Sequence, residues 1–440
     1  MKGSSKQKKV MVGALLLAAI GVSIPGTGAF AGEISREAQK AEVPAVLDKG
    51  KWAPATYTAV QNVIEKYSKN NPGYDVKAKP YAAFDWDDTS IINDVTDKFF
   101  LYQMDQLAYK LTPSEFANVV KLTVPSGVLT GVKNDSGKPI TLEQITNDLK
   151  RDYDYLYAHY EGFKGSSTLE EIRQTDQFHD FKIKLYFLYR AISKAYGANI
   201  AYPWEIYFCA NMTEAEVVEL ATASHRHSLS SAISEVKGTS PASMAGEAGV
   251  VSISYVEGMR LAPEISNLMN TLRSNGIDVY VVSAGFEPVV EAIASSPEFG
   301  YNVPKDHVFG LRLEQNAQNQ YQPLYKKEYP FTYREGKAEL IRKEIAVKSG
   351  GRDPILVAGD SNSDYGNFTL LKGIELGLIV NHLSSGDFGN ISKEAASQIG
   401  KSNPKYVLQG VDEVTGLWRP AESTIRIGTN QEALLNEDLK

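Results

Sequence analysis

A chain of 440 residues with one cysteine, Cys209, cannot form an intrachain disulfide. Any fold it adopts in an oxidising compartment must be held by its core alone. Histidine is nearly as scarce, at six. His225 and His227 flank Arg226 and read as surface residues, while His159, His179, His307 and His382 are scattered, so no zinc-ligand spacing emerges. Positive charge is the minority, with 46 Lys and Arg against 53 Asp and Glu. That balance disfavours nucleic acid and anionic membrane surfaces as partners. Gly and Pro are not in excess, and 43% hydrophobic against 22% charged residues argues for a globular chain with a core large enough for more than one domain. Beyond residue 31 no stretch approaches eighteen uninterrupted apolar residues, so no stable membrane span is expected there. Oligomeric state has no signature in the sequence.

The first 31 residues have a different character. Lys2, Lys6, Lys8 and Lys9 precede a charge-free apolar run from Val10 to Ile24, and Ala29-Phe30-Ala31 follows with small residues at a cleavage spacing. This is the anatomy of a secretory signal peptide cleaved after Ala31, which places the mature chain outside the cytoplasm. The alternative is a retained anchor, for which fifteen apolar residues are short. Removing the segment takes away four lysines and no acids, moving the formal charge from −7 to −11. A small phosphorylated substrate stays compatible with that charge, because a metal and a lysine can reverse the field inside a pocket.

Residues 32–79 read as a helical N-terminal segment broken at Asn71-Pro72-Gly73, and Pro80 to Phe84 as a buried strand ending in acids. From Asp97 to about Gly249 the pattern is almost wholly helical. Thr112-Pro113-Ser114-Glu115 and Thr213-Glu214-Ala215-Glu216 read as capping boxes, and Gly238 to Gly249 reads as a loop. Strand and helix then alternate: helix at Glu264–Ser274, strand at Asp278–Val282, helix at Pro288–Ala294, strand at Val308–Leu313, helix at Lys337–Lys348, strands at Pro354–Ala358 and Leu376–Val380. Apolar strands separated by helices predict an α/β fold, a doubly wound, Rossmann-like parallel sheet. Its core is residues 80–96 and 250–430, split by a helical cap inserted after the first strand at 97–249.

Four pieces fall at strand ends or a helix start, where open parallel sheets bind ligands. Phe84-Asp85-Trp86-Asp87-Asp88-Thr89 puts two carboxylates two residues apart after a strand, suited to a nucleophile and a proton donor; alone, such a turn equally suits a helix cap. Val282-Ser283-Ala284-Gly285 offers a hydroxyl and backbone N–H groups to phosphate oxygens, or is an ordinary strand-to-helix turn. Gly336-Lys337 opens a helix. Asp360 and Asp364, in Gly359-Asp360-Ser361-Asn362-Ser363-Asp364, suit a hard cation with oxygen ligands, or an acidic N-cap.

Taken in order, the quartet resembles the haloacid dehalogenase superfamily of phosphohydrolases, whose motifs run Asp-x-Asp-x-Thr, strand-Ser, Lys and Gly-Asp-Ser-x-x-Asp. The resemblance covers roughly 200 residues of the core, and the helical insertion is similar to the first of that superfamily's cap types. It implies a Mg²⁺-dependent phosphomonoesterase. Asp85 would become an aspartyl-phosphate, and Asp87 would protonate the leaving oxygen and then activate water. Thr89 would brace the loop, Ser283 and the Ala284 amide would bind the phosphoryl group, and Lys337 would neutralise charge. Mg²⁺ would be held by Asp85, the Asp87 carbonyl and Asp360, with Asp364 behind them. Asp87 also matters as a discriminator, because members that cleave carbon–halogen bonds lack it. Trp86 reads as packing.

Within the superfamily the stretch from Tyr81 to Ile91 is similar to the phosphoserine phosphatase-like branch, and to exported bacterial members that act on phosphorylcholine-like substrates. Those members commonly carry Asn where this chain has Asp88. A cationic leaving group would need acids and aromatics. Asp94 and Asp97, three apart, are candidates for it or for a helix N-terminus, and Trp204 with Tyr207 are candidates for an aromatic cage or for core. Two other outcomes stay open: a broad-specificity secreted acid phosphatase, and a catalytically dead binding protein on the same scaffold.

Overall fold

The computed structural model describes residues 46–439; the signal-peptide expectation at 1–31 and the first part of the 32–79 segment lie outside them. Six strands form a parallel sheet: β1 Tyr81–Phe84, β2 Asp278–Phe286, β3 Val308–Leu311, β4 Leu356–Gly359, β5 Leu376–Asn381 and β6 Tyr406–Asp412. Their order is β6-β5-β4-β1-β2-β3, every neighbouring pair being parallel. The chain therefore runs outward from β1 through β2 to β3, then crosses back to β4. That reversal opens a crevice between the C-terminal ends of β1 and β4. The alternation of side chains explains the double winding. Ala82, Phe84, Val279 and Val281 pack into one apolar cluster, whereas Tyr81, Ala83, Tyr280 and Val282 pack into another. Both faces of the sheet are covered, which is why its strands read as unbroken apolar runs.

Several local expectations hold. The helix Pro54–Tyr67 packs behind the sheet, where the Thr56 hydroxyl donates to the Leu408 carbonyl at 2.6 Å and the Gln409 side chain accepts from the Ala53 amide at 2.8 Å. Both capping boxes form as read, Thr112 with Glu115 and Thr213 with Glu216, each cap contributing about 1 kcal/mol. Other segments differ. Val308 to Leu313 is a strand only as far as Leu311. The chain then turns into a hairpin, Leu313–Gln315 against Tyr321–Tyr325. The helix expected over 337–348 is α-helical over Glu335–Leu340 and then widens into a π-helical turn at Ile341–Ile345.

Between β1 and β2 the chain leaves the sheet and returns through a short antiparallel pair, Ile91–Ile92 with Arg260–Leu261. The intervening residues are mostly helical, but not wholly. Two hairpins interrupt them, Val128–Lys133 with Pro139–Thr141 and Ser234–Thr239 with Ser252–Glu257. The second hairpin straddles the boundary expected at 249/250 and moves the crossing to the 91–92/260–261 pair. The loop at its tip is fixed from below by a buried ion cluster. Lys184 lies 2.8 Å from Asp148 and 2.9 Å from Asp180, and donates to the Met244 and Ala245 carbonyls. Asp148 also accepts from the Glu247 and Ala248 amides. Gly246, at φ 58°, permits this approach, since a Cβ there would sit 2.0 Å from Asp148 Oδ1.

The inserted helices also touch the sheet layer directly. Asn211 and Met212 exchange backbone hydrogen bonds with Tyr321 of the 313–325 hairpin at 2.9 and 2.8 Å. His225, expected at the surface, is fully buried with its Nε2 2.9 Å from the Val289 carbonyl. It faces the helix Glu287–Ala294, and burial holds its imidazole down at about 4, so it sits there neutral.

Candidate active site

β1 ends on Asp85, whose amide still donates to Ala358 of β4 at 3.0 Å, so the sheet ladder fixes the start of the acidic turn. The turn closes on the Trp86 carbonyl, which accepts from the amides of Thr89, Ser90 and Ile91 at 2.8–3.3 Å. Asp88 sits at φ 55°, a left-handed conformation that Asp and Asn both tolerate. Asp88 in place of the commoner Asn therefore leaves the turn intact. Trp86 is fully buried with its ring 4.8 Å from Tyr301, which makes it packing, as expected.

The four motifs converge at this turn. Lys337 Nζ, fully buried, lies 2.6 Å from Asp85 Oδ1 and 2.7 Å from Asp364 Oδ1. Burial opposes its charge, but Asp364 and Asp85 outweigh burial and hold the ammonium above its ordinary value. Asp364 uses its other oxygen on the Asp360 amide at 3.1 Å. Gly359 makes room for it, since a Cβ there would lie 2.5 Å from the Asp364 carboxyl carbon. Thr89 reaches Asp360 Oδ1 at 3.4 Å, so it braces the loop against β4. Asp87 accepts the Val95 amide at 2.7 Å and lies 3.5 Å from the Ser283 hydroxyl. Ser283 Oγ in turn accepts from the Gly285 amide at 2.9 Å. A Cβ at Gly285 would meet the Thr96 hydroxyl at 2.6 Å, so the C-terminal end of β2 can approach the helix Val95–Gln106 only without a side chain there.

The electrostatics follow from this crowding. Burial, then Asp364, raise Asp85; burial raises Asp360 well above the carboxylate range, with Asp364 and Asp88 adding to it. Carboxylate oxygens of Asp85, Asp360 and Asp364 lie within 4.8 Å of one another, all buried. This all-oxygen donor set fits a hard divalent cation, which would relieve the repulsion. Asp364, with one oxygen on Lys337 and the other on an amide, supports the pair rather than being free to ligate. Asp87 is raised well above its ordinary value by burial first and Asp94 second, so it favours the protonated form that a proton donor needs.

A cavity of about 220 Å³ opens over this cluster, lined by Asp85, Asp87, Ala284, Gly285 and Asp360 from the sheet side. Its opposite wall corrects the sequence reading. Asp94 lines it, and also caps the helix Val95–Gln106 by accepting from the Thr96 and Asp97 amides. Asp97 does not line it: its carboxylate is held by the Tyr186 hydroxyl at 2.9 Å and by Lys98. Trp204 and Tyr207 do not line it either. Trp204 is fully buried, its indole N–H on the Val120 carbonyl at 2.9 Å, and Tyr207 is buried as well. The wall is instead Tyr189, Tyr202 and Glu205. Tyr202 and Glu205 are three apart and share the cavity face of the helix Ala198–Ile206, whereas Trp204 lies on another face of that helix. The aromatic and acidic signal was thus in the right helix and one face away. Glu205 is pushed well up by burial, then by Asp97 and Asp94.

The haloacid dehalogenase-like hydrolase family matches residues 185–366. A phosphorylcholine phosphatase of Pseudomonas aeruginosa is 31% identical over 147 residues, a match that covers 28% of this chain and 41% of that enzyme. A conserved protein of unknown function from Anaerococcus prevotii has a crystal structure that superposes with a TM-score of 0.80 at 29% identity, covering 86% of this chain and 98% of that one. The strand order, the convergent aspartates and the family match agree: the chain carries a haloacid dehalogenase-like hydrolase domain.

Proposed function

We propose that the chain is a Mg²⁺-dependent phosphomonoesterase acting on a small substrate whose alcohol carries a cationic group. The observation that carries the hydrolytic reading is the Asp85–Lys337–Asp364 arrangement beside Asp87, whose burial favours its protonated form, at the crevice of the sheet. An Asp85 carboxylate oxygen attacks phosphorus; the ester oxygen leaves with the electrons of the P–O bond and takes the Asp87 proton. Water then attacks the phosphorus of the aspartyl-phosphate while Asp87, now a base, accepts its proton, and Asp85 departs as carboxylate from inorganic phosphate. Ser283 and the Ala284 amide hold the phosphoryl oxygens, and Lys337 favours the ionised form of Asp85 against its burial and offsets the charge that gathers in the transition state. Asp85, the Asp87 carbonyl and Asp360 would hold Mg²⁺, which supplies further charge neutralisation.

The leaving-group class is read from the cavity wall: two acids, Asp94 and Glu205, and two tyrosines, Tyr189 and Tyr202, with no basic side chain among its lining residues. Acids and aromatic faces recognise ammonium groups, and the phosphorylcholine phosphatase relative supports the same class. Lys2 to Ala31 supports export of the chain. The deciding experiment is a kcat/KM panel of phosphorylcholine, phosphoethanolamine, phosphoserine and sugar phosphates, with p-nitrophenyl phosphate as the neutral reference, in Mg²⁺ and in EDTA. Ammonium esters are expected to lead, and EDTA to abolish turnover. A flat profile favours broad-specificity phosphate scavenging, and full activity in EDTA removes the metal.

A further inference from the structure

Three lysines among the described residues are buried: Lys337, Lys184 and Lys98. Lys337 is satisfied by Asp85, Asp364 and Ser363 within 2.6–3.3 Å. Lys184 is satisfied by Asp148, Asp180 and two backbone carbonyls within 2.8–3.1 Å. Lys98 differs. Its side chain is 6% exposed, yet its one contact is Asp97 Oδ2 at 3.4 Å. That carboxylate is already engaged by the Tyr186 hydroxyl at 2.9 and 3.2 Å. An ammonium carries three donors, and a buried one left with a single long contact lacks the compensation that buried charge requires.

The missing partner has a place to sit. Lys98 lines a second cavity of about 300 Å³ that shares no lining residue with the catalytic one. It lies between the helix Val95–Gln106, the helix Glu214–Ser230 and the hairpin 234–257. Its lining also includes Tyr102, Ser228 and Tyr255, whose hydroxyls make no hydrogen bond among the described residues, together with Lys182 and His227. Asp105 is taken by Arg173 at 2.7 Å and Lys182 at 3.0 Å, and Glu257 is exposed. Setting Asp97, Asp105 and Glu257 against Lys98, Lys182 and Arg173 leaves these charges balanced, so what the cavity offers an anion is the unmet donors of Lys98 and of the three hydroxyl residues rather than a net charge.

We propose that this cavity is a binding site for a small oxyanion, a carboxylate or a phosphate, seated on Lys98 and distinct from the catalytic centre. The anion supplies the acceptors that Lys98 and the three hydroxyls lack.

The test is calorimetric titration of inorganic phosphate and of acetate into the full chain in EDTA. Wild type is compared with Lys98→Met, Lys98→Arg and Lys337→Met. At least one anion is expected to bind wild type at millimolar concentration or below, to weaken about tenfold or more in Lys98→Met, and to be retained in Lys98→Arg and Lys337→Met. Which of the two binds names the anion class. Binding that survives Lys98→Met, binding lost in Lys337→Met, or no binding of either anion up to roughly 10 mM overturns the proposal. If Lys98→Met does not fold, Tyr102→Phe combined with Ser228→Ala reads the same contacts, and unweakened binding there overturns it equally.

Discussion

Lys337 and Lys184 occupy the same electrostatic arrangement in two different parts of the molecule. Each is fully buried and lies within 3 Å of two aspartates. Around Lys184 every near acceptor belongs to the protein, and the result is a sealed fastener for the 240–250 loop. Around Lys337 the aspartates are oversupplied: Asp85 and Asp360 face a cavity with raised proton affinity. A buried lysine between two acids is therefore not by itself a functional signature. What marks the functional one is carboxylate charge left uncompensated on a side open to a ligand.

That contrast is broken most directly at Asp85. Asp85→Asn is expected to lower turnover of the best phosphomonoester by at least about a thousandfold, since it removes the attacking atom. Its Tm should move far less than that of Lys184→Met. Lys337→Met, near-isosteric but neutral, is expected to lower kcat about 10²–10³-fold, because the charge it offsets is greatest in the transition state. Steady-state kinetics on purified, folded variants check both. An Asp85→Asn protein with wild-type turnover would place the chemistry elsewhere.

Lys184→Met is the mirror experiment. It leaves the buried Asp148 and Asp180 to the partly exposed Arg151, a change expected to lower stability by about 3 kcal/mol, read from the urea midpoint. Activity per folded molecule should hold at temperatures where the variant is folded. Lost activity at unchanged stability would mean that the fastener is part of the catalytic machinery, and the distinction between the two lysines would collapse.

The two regions were also unequally legible from sequence. The convergence of Asp85, Asp87, Ser283, Lys337, Asp360 and Asp364 was legible because each lies near a strand end or a helix start, and parallel topology brings such ends together. Thr112 and Thr213 were found because a capping box is a contact across three residues. The cavity's opposite wall was not found. Tyr189, Tyr202 and Glu205 sit on two helices, and which of the four faces turns to the core depends on packing that no short-range pattern encodes. Trp204 had the right chemistry and helix and the wrong face, and Tyr207 lies just past the end of that helix. His225 was missed for a related reason: a polar side chain in a helix reads as solvent-facing until a second element, here Val289, covers it. The hairpin 234–257 was hidden by its Ser, Gly and Ala content, which looks like loop until its two strands pair.

The smallest effect expected concerns the proton that the sealed cluster holds. Beside Lys184, Asp152 is raised to about 8, by burial first and then by the neighbouring Asp180, with Arg151 opposing. The folded state thus favours the protonated carboxyl, whereas the unfolded chain ionises near ~4. As pH rises from ~4, the unfolded state releases a proton that the folded state keeps, so stability falls until about 8, where both are ionised and the slope ends. The raised site carboxylates Asp85 and Asp360 contribute a slope of the same sign, so the wild-type curve alone does not isolate Asp152. The difference between wild type and Asp152→Asn does, because those carboxylates are present in both. The Asn variant is expected to lose part of the decline between pH 4 and 8 in urea midpoints, and to approach or exceed wild type at the upper end. Superimposable curves would mean that Arg151 and Lys184 already balance the cluster without a proton. The sealed lysine site would then hold three ionised acids, Asp148, Asp152 and Asp180, against Lys184 and Arg151, and the contrast with the active site would rest on ligand access alone.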